Sequence, residues 1–111
     1  SLFINPTIKD IKLSKELNVD CVEIHTGKIS NLVKLKKRYS DELERIRRCS
    51  ILAKKFDIEV HAGHGLDYIT TKILSKIKEI EEFNIGHFII GESIFIGLSS
   101  VIKKFKKIIK N

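Results

Sequence analysis

The sequence lacks the segments that mark secreted, membrane-spanning and lipid-anchored proteins. It has no secretory leader, no apolar run long enough to cross a bilayer and no lipidation motif. These absences predict a cytoplasmic protein without a membrane partner. Cysteine is also scarce, because Cys21 and Cys49 are the only two and they lack the spacing of a metal site. We expect both to be small buried apolar side chains, with no disulfide in a reducing compartment.

Linkers, low-complexity tracts and internal repeats are absent as well, and aromatic residues are few. A chain of 111 residues with 42% hydrophobic and 32% charged residues is typical of one globular unit with a small core. The formal net charge of +7 raises nucleic-acid binding as an alternative function. The lysines, however, are spread over every helical segment, as is usual for solvated helix faces. We therefore expect no nucleic-acid partner.

Short apolar runs alternate with amphipathic segments along the whole chain. The runs that predict strands cover residues 1–4, 19–24, 58–62 and 82–85. Six segments predict helices: 7–17, a short one near 32–35, 40–56, 69–77, a short apolar one at 86–96, and 101–109.

Local signals mark several of these boundaries. Thr7 is the predicted N-cap of the first helix, and Asn18 is the predicted left-handed residue that stops it. Ser40 is the predicted cap of the third helical segment. Ile69 is predicted to belong to the buried stripe of the next long helix.

Four consecutive strand–helix units imply parallel strands joined by right-handed helical crossovers. A four-stranded parallel sheet alone would have two open edges and an uncovered face. Four units are half of an eight-stranded (β/α)₈ barrel, and the first strand has nothing before it. The expected fold is therefore α/β, with residues 1–111 forming half of a single TIM-barrel domain.

All four histidines fall at or near the ends of predicted strands, where parallel α/β proteins bind ligands. His64 is flanked by Gly63 and Gly65, which permit unusual torsions and close approach of a substrate. A histidine in this position suits general acid or base chemistry, whereas the simpler interpretation is a turn histidine in a glycine-rich loop. His25 and His61 are interpreted as supporting residues with unassigned roles.

Glu23 lies between Val22 and Ile24, so its side chain should face away from theirs and towards the barrel interior. A carboxylate there either takes part in chemistry or forms a structural ion pair, and the sequence leaves both open. Gly86 and His87 begin the short predicted helix, where free N–H groups could hold a phosphate. The alternative is a helix start that simply needs a glycine.

The main chemical rival to this interpretation is a metal site built from Glu23 and three histidines, His25, His61 and His64. Against it, His61 and His64 are three residues apart at a strand end, where their side chains should diverge. No compact ligand motif of the H-E-x-x-H type is present. We therefore expect no metal site.

Four short motifs together resemble the second half of the pyridoxine 5′-phosphate synthase family. They are residues 1–4 (Ser-Leu-Phe-Ile), 23–27 (Glu-Ile-His-Thr-Gly), 62–66 (Ala-Gly-His-Gly-Leu) and 84–87 (Asn-Ile-Gly-His). The resemblance covers essentially the whole chain, and it is specific because the motifs agree in order and spacing. It implies a (β/α)₈ barrel with extra helices, assembled into homo-octamers.

The resemblance also implies an activity in vitamin B6 biosynthesis. The family condenses 3-amino-2-oxopropyl phosphate with 1-deoxy-D-xylulose 5-phosphate, releasing phosphate and water without a metal or organic cofactor. By resemblance, His64 matches the proton donor and Glu23 the transition-state stabiliser. Gly65, Gly86 and His87 match positions that hold the aminoketone phosphate.

Other family positions have no match in these residues. The second histidine–glutamate pair and the residues that hold the deoxyxylulose phosphate belong to the family's first half, so the 111 residues alone are expected to be inactive. Glu92 stands where many relatives have a basic residue, which should matter little beyond the phosphate contacts. A different phosphate-binding barrel enzyme and a small basic nucleic-acid-binding module remain the alternatives.

Overall fold

The computed structural model describes residues 2–85 and 98–110. Its strands and helices alternate along the chain, with one additional helix after the second strand. The elements are β1 (Leu2–Ile4), α1 (Ile8–Glu16), β2 (Cys21–His25), α2 (Gly27–Lys34), α3 (Ser40–Lys55), β3 (Glu59–Gly63), α4 (Tyr68–Leu74), β4 (Ile80–Asn84) and α5 (Leu98–Lys110). Among these described helices, none is both long and apolar enough to cross a membrane.

The four strands form one parallel sheet in the order β1-β2-β3-β4. Phe3 is paired with Glu23, Glu23 with His61, and His61 with Glu82, so these four residues form one row across the sheet. Neighbouring strands follow one another in sequence, as expected for repeated strand–helix units. The α/β class and the parallel pairing are confirmed, while closure into a barrel stays a prediction.

One face of the sheet carries the core. Val22 and Ile24 of β2 and Val60 and Ala62 of β3 have no exposed surface and pack with buried residues of the helices. Because side chains alternate along a strand, the intervening residues point to the other face. Cys21 and Cys49 are both buried and free, as predicted.

The other face of the sheet is open in the described part of the chain. Phe3 is 75% exposed, and the side chains of Glu59 and Glu82 are 53% and 61% exposed. Parallel sheets normally bury both faces. The open face is therefore the natural place for further structure to pack.

Helix ends agree in part with the sequence analysis. Thr7 caps α1 by accepting a hydrogen bond from the Asp10 N–H at 3.1 Å, and Asn18 has the predicted left-handed torsion, φ 54°. The prediction of Ser40 as an N-cap is wrong. Ser40 is already helical, and its hydroxyl accepts a bond from Arg38 Nε at 3.0 Å, while Tyr39 occupies the cap position without a side-chain cap bond.

The predicted stripe of α4 is also wrong at one position. Ile69 is 62% exposed, and the helix instead buries Thr70, Thr71 and Leu74. The amphipathic last helix is confirmed, with Val101 and Phe105 buried. The predicted helix at 86–96, with Gly86, His87 and Glu92, lies outside the described residues.

Candidate functional site

The carboxyl ends of β2 and β3 are joined by Thr26, which has no exposed surface. Its backbone N–H donates to the Gly63 carbonyl at 2.9 Å. Its hydroxyl lies 2.7 Å from the same carbonyl and 2.9 Å from that of His64, and it donates to them. These bonds hold the peptide segment that carries His64 against the end of β2.

His64 occupies a strained backbone conformation. Its φ is 85°, and Gly65 follows with φ 74°, so two successive residues lie in the left-handed region. Such torsions cost a non-glycine residue about 1–3 kcal/mol and tend to occur at functional sites. The sequence analysis assigned unusual torsions to both flanking glycines. The structure places Gly65 and His64 itself in this region, whereas Gly63 belongs to strand β3.

The imidazole of His64 stacks on that of His25, with ring centroids 4.3 Å apart and planes inclined by 26°. The Gly27 N–H donates to His25 Nδ1 at 3.2 Å, so a neutral His25 carries its proton on Nε2. A Cβ at position 27 would approach His25 Cε1 to 2.5 Å and His64 Cδ2 to 2.9 Å. Gly27 therefore leaves the space in which the two rings meet.

Glu23 points away from Val22 and Ile24, as predicted, and its carboxylate lies beside the end of β4. Asn84 Nδ2 donates to Glu23 Oε1. A Cβ at Gly63 would clash with the same carboxylate, so the close approach of Glu23 requires glycine there. Among the described residues the recorded partner of Glu23 is a neutral amide, which does not favour the ion-pair interpretation.

Two cavities flank His64. One has a volume of about 410 Å³ and extends over Asn84, Ile85 and Leu66. The other, of about 380 Å³, extends over His25, Gly27 and Ser30. His64, Gly65 and Lys34 line both, so a ligand in either cavity would contact the histidine and have a lysine nearby.

Sequence reasoning missed three polar residues of this site. Asn84 was included in a motif but given no role, Thr26 was read only as part of another motif, and Ser30 was not considered. The Ser30 hydroxyl is buried, borders the cavity over His25, and has no hydrogen-bond partner among the described residues. A polar residue directly after a strand was the available signal for Thr26, whereas Ser30 lies inside a helix and gave none.

His61 does not join His25 and His64. Its Nδ1 lies 2.9 Å from Glu82 Oε2 and its Nε2 lies 3.2 Å from Glu59 Oε2, further down the open face. Among the described residues, the side chains that converge as potential metal ligands are Cys21, Glu59 and His61. The metal set considered from the sequence is therefore not assembled.

Two predicted ligand-binding residues, Gly86 and His87, lie outside the described residues. The described chain reaches Ile85, which borders the larger cavity next to Asn84. A phosphate site at Gly86 and His87 stays a prediction.

Comparison with known proteins identifies the family of this chain. The model of the family described as "Pyridoxal phosphate biosynthesis protein PdxJ" matches residues 1–111. The pyridoxine 5′-phosphate synthase of Pelagibacter ubique is 67% identical over 108 residues, covering 97% of this chain and 45% of the relative. The synthase of a Sulfurihydrogenibium species is 47% identical over 111 residues, covering all of this chain and 45% of the relative. The chain thus spans about half the length of the curated relatives that it matches.

Proposed function

Because this chain belongs to the PdxJ family of pyridoxal phosphate biosynthesis proteins, we propose that it is the carboxyl-terminal half of a pyridoxine 5′-phosphate synthase. The complete enzyme would condense 3-amino-2-oxopropyl phosphate with 1-deoxy-D-xylulose 5-phosphate, giving pyridoxine 5′-phosphate and inorganic phosphate. The observation that carries the proposal is the position of His64 at the carboxyl end of the sheet, between two cavities of ligand size. Glu23 reaches the same region through Asn84, which donates to its carboxylate and lines one of these cavities. In (β/α) folds this end is where active sites lie.

The open face of the sheet supports the half-barrel part of the proposal. Phe3, Glu23, His61 and Glu82 form one row across four strands, and in a closed barrel such rows become layers of the interior. A second set of four strand–helix units would cover this face and remove both sheet edges. The expected partner is therefore the amino-terminal half of the same barrel. By resemblance to the family, we propose that the complete protein is a cytoplasmic homo-octamer.

His64 is the proposed proton donor. Its side chain is exposed to both cavities, and its backbone is fixed by the bonds from Thr26. An imidazole can both donate and accept a proton, so one histidine can serve successive proton transfers at the same site. The expected contribution of such a group to the rate is about 10²–10⁴-fold.

Glu23 is the proposed stabiliser of the transition state. Imine formation, tautomerisation and ring closure all pass through species that carry positive charge on nitrogen. A carboxylate held in place by the Asn84 amide can stabilise that charge without moving during the reaction. Because this partner is a neutral amide, the bond places no positive charge of the protein between Glu23 and the substrate.

Gly65, Gly86 and His87 are proposed to hold the phosphate of the aminoketone. Gly65 borders both cavities, and a Cβ there would come within 3.3 Å of the Ser30 hydroxyl. A helix beginning at Gly86 would add free N–H groups, which bind phosphate well. Binding of the phosphate at these residues would position the aminoketone for reaction rather than break its bonds.

The reaction then proceeds by proton transfers. The amine of one substrate adds to the ketone of the other, water leaves to give an imine, and the imine tautomerises. Loss of phosphate and ring closure with loss of water produce the aromatic pyridine. Each of these reaction steps moves a proton and none of them needs an organic cofactor. His64 is proposed to supply the proton to a leaving oxygen.

The test is product formation by the complete protein. Incubation with both phosphorylated substrates should give pyridoxine 5′-phosphate and inorganic phosphate, detected by mass spectrometry and a phosphate assay. Omission of either substrate is the control. If the protein binds inorganic phosphate but forms no pyridoxine 5′-phosphate, it is a different phosphate-binding barrel enzyme and the proposal fails.

A further inference from the structure

Three residues with different metal-ligating groups lie together on the open face, towards the amino ends of the strands. Cys21 and Glu59 are directly opposite each other in the register of β2 and β3. His61 is two residues after Glu59, so it shares that face. One ligand atom from each of the three lies within 4.8 Å of the others.

The orientation of His61 matches that of a metal-bound histidine. Its Nε2 lies 3.2 Å from Glu59 Oε2, close to the separation of about 3.4 Å between two ligands of a tetrahedral zinc ion. Its Nδ1 lies 2.9 Å from Glu82 Oε2. Metal-bound histidines usually direct their second ring nitrogen at such a carboxylate, which fixes the ring.

The surrounding charge also favours a cation. Three carboxylates lie near His61, those of Glu59, Glu81 and Glu82. The nearby Lys54 pairs with Glu81, at 2.7 Å between Nζ and Oε1. Within residues 2–85 and 98–110, the hydrogen bond found for the Cys21 thiol is a long one, 3.8 Å to the Val22 carbonyl oxygen.

We propose that Cys21, Glu59 and His61 form a binding site for a divalent ion of the zinc class, supported by Glu82. Sulfur, nitrogen and oxygen donors together suit zinc, whereas magnesium and calcium prefer oxygen alone. Three protein ligands leave one tetrahedral position for water. The ion would link β2 to β3, and through Glu82 to β4, nearer the amino ends of the strands than His64.

This proposal does not rest on the proposed synthase activity, although His61 pairs with Glu23 in the register of β2 and β3. The site differs from the metal set weighed in the sequence analysis. That set placed His25 and His64 at the carboxyl end of the strands, whereas Cys21 and Glu59 begin β2 and β3. The site of Cys21, Glu59 and His61 is not evident from the sequence, because its ligands belong to two strands that are far apart in the chain.

The probes are Zn²⁺ by calorimetry and Co²⁺ by absorption spectroscopy, on the complete tag-free protein after treatment with a chelator. We expect one ion per chain and a sulfur-to-cobalt charge-transfer band. Cys21→Ser should abolish that band and weaken Zn²⁺ binding by at least about tenfold. Cys49→Ser, at the other buried cysteine, is the matched control and should change neither.

Two further variants keep the proposal testable if Cys21→Ser does not fold. Glu82→Gln should keep the cobalt band and weaken Zn²⁺ binding by about 10–100-fold, because it removes only the support of His61. If Cys21→Ser does not fold, His61→Asn replaces it and should lose Zn²⁺ binding. A folded wild-type protein that binds no Zn²⁺, or equal binding by the wild type and Cys21→Ser, would overturn the proposal.

Discussion

At the scale of single residues, the sequence predicts the direction of a side chain more readily than its contacts. The alternation of Val22, Glu23 and Ile24 gave the direction of the carboxylate, because a strand has a period of two. The stacking of His25 on His64 and the amide of Asn84 beside Glu23 join residues distant in sequence. Such contacts depend on strand register, which sequence periodicity alone does not determine.

Replacing His64 by asparagine should reduce turnover more than substrate binding. We expect kcat of the complete enzyme to fall about 10²–10⁴-fold with a smaller change in KM, since asparagine cannot replace the imidazole as a proton donor and the proposed phosphate contacts lie at other residues. Steady-state kinetics across pH measure both constants. Turnover close to normal at every pH would remove His64 from the role of proton donor.

Glu23→Gln should keep the fold and slow the reaction. Glutamine retains the oxygen that accepts from Asn84 Nδ2 but has no charge, so we expect a loss of kcat on the order of 10²-fold with little change in Tm. Glu16→Gln, at the exposed end of α1, is the control and should have no effect on either. A lower Tm with normal kcat would instead make Glu23 a structural residue.

At the scale of elements, the sequence predicted which segments are strands and helices better than where they begin. β4 starts at Ile80, two residues before the prediction, because a register shift at Val60 and His61 lets Ile80 pair with β3. Ser40 was mistaken for a cap because it precedes two acidic residues, yet its hydroxyl is used by Arg38. The buried threonines of α4 escaped a search for apolar stripes, since polar residues carry no hydrophobic signal.

The connection between β2 and the His64 segment should be sensitive to one hydroxyl. Thr26→Val keeps the shape but removes the donor to the Gly63 and His64 carbonyls, so we expect a loss of about 1–3 kcal/mol in stability and a lower kcat. Thr26→Ser keeps the hydroxyl and is the control. Denaturant unfolding and steady-state kinetics of both variants measure these effects. Equal stability and equal kcat of Thr26→Val and Thr26→Ser would show that the hydroxyl bonds do not matter.

At the scale of the whole molecule, the repeated strand–helix pattern predicted a parallel sheet and its neighbour order. The uncovered face follows from the same pattern, because four units supply helices for only one side. Closure of the barrel could not be derived from these residues, since the strands that would complete it lie outside them. The chain covers about half the length of the curated relatives that it matches, as expected if a further part completes the barrel.

Phe3 provides a test of that missing part. Phe3 is 75% exposed here, but in a closed barrel it would be an interior residue, so Phe3→Ala should destabilise the complete protein by about 3–5 kcal/mol. Ile69→Ala, 62% exposed on the helical side, is the matched control and should change stability by no more than about 0.5 kcal/mol. Equal effects of the two substitutions in denaturant unfolding would indicate that the open face is not covered.

The most direct measurement of the central claim compares the purified 111-residue chain with the complete protein in one assay for pyridoxine 5′-phosphate. The account predicts product from the complete protein and none from the chain alone, because the chain supplies only part of the site and leaves its sheet face open. Product formation by the 111-residue chain at a rate similar to that of the complete protein would contradict it.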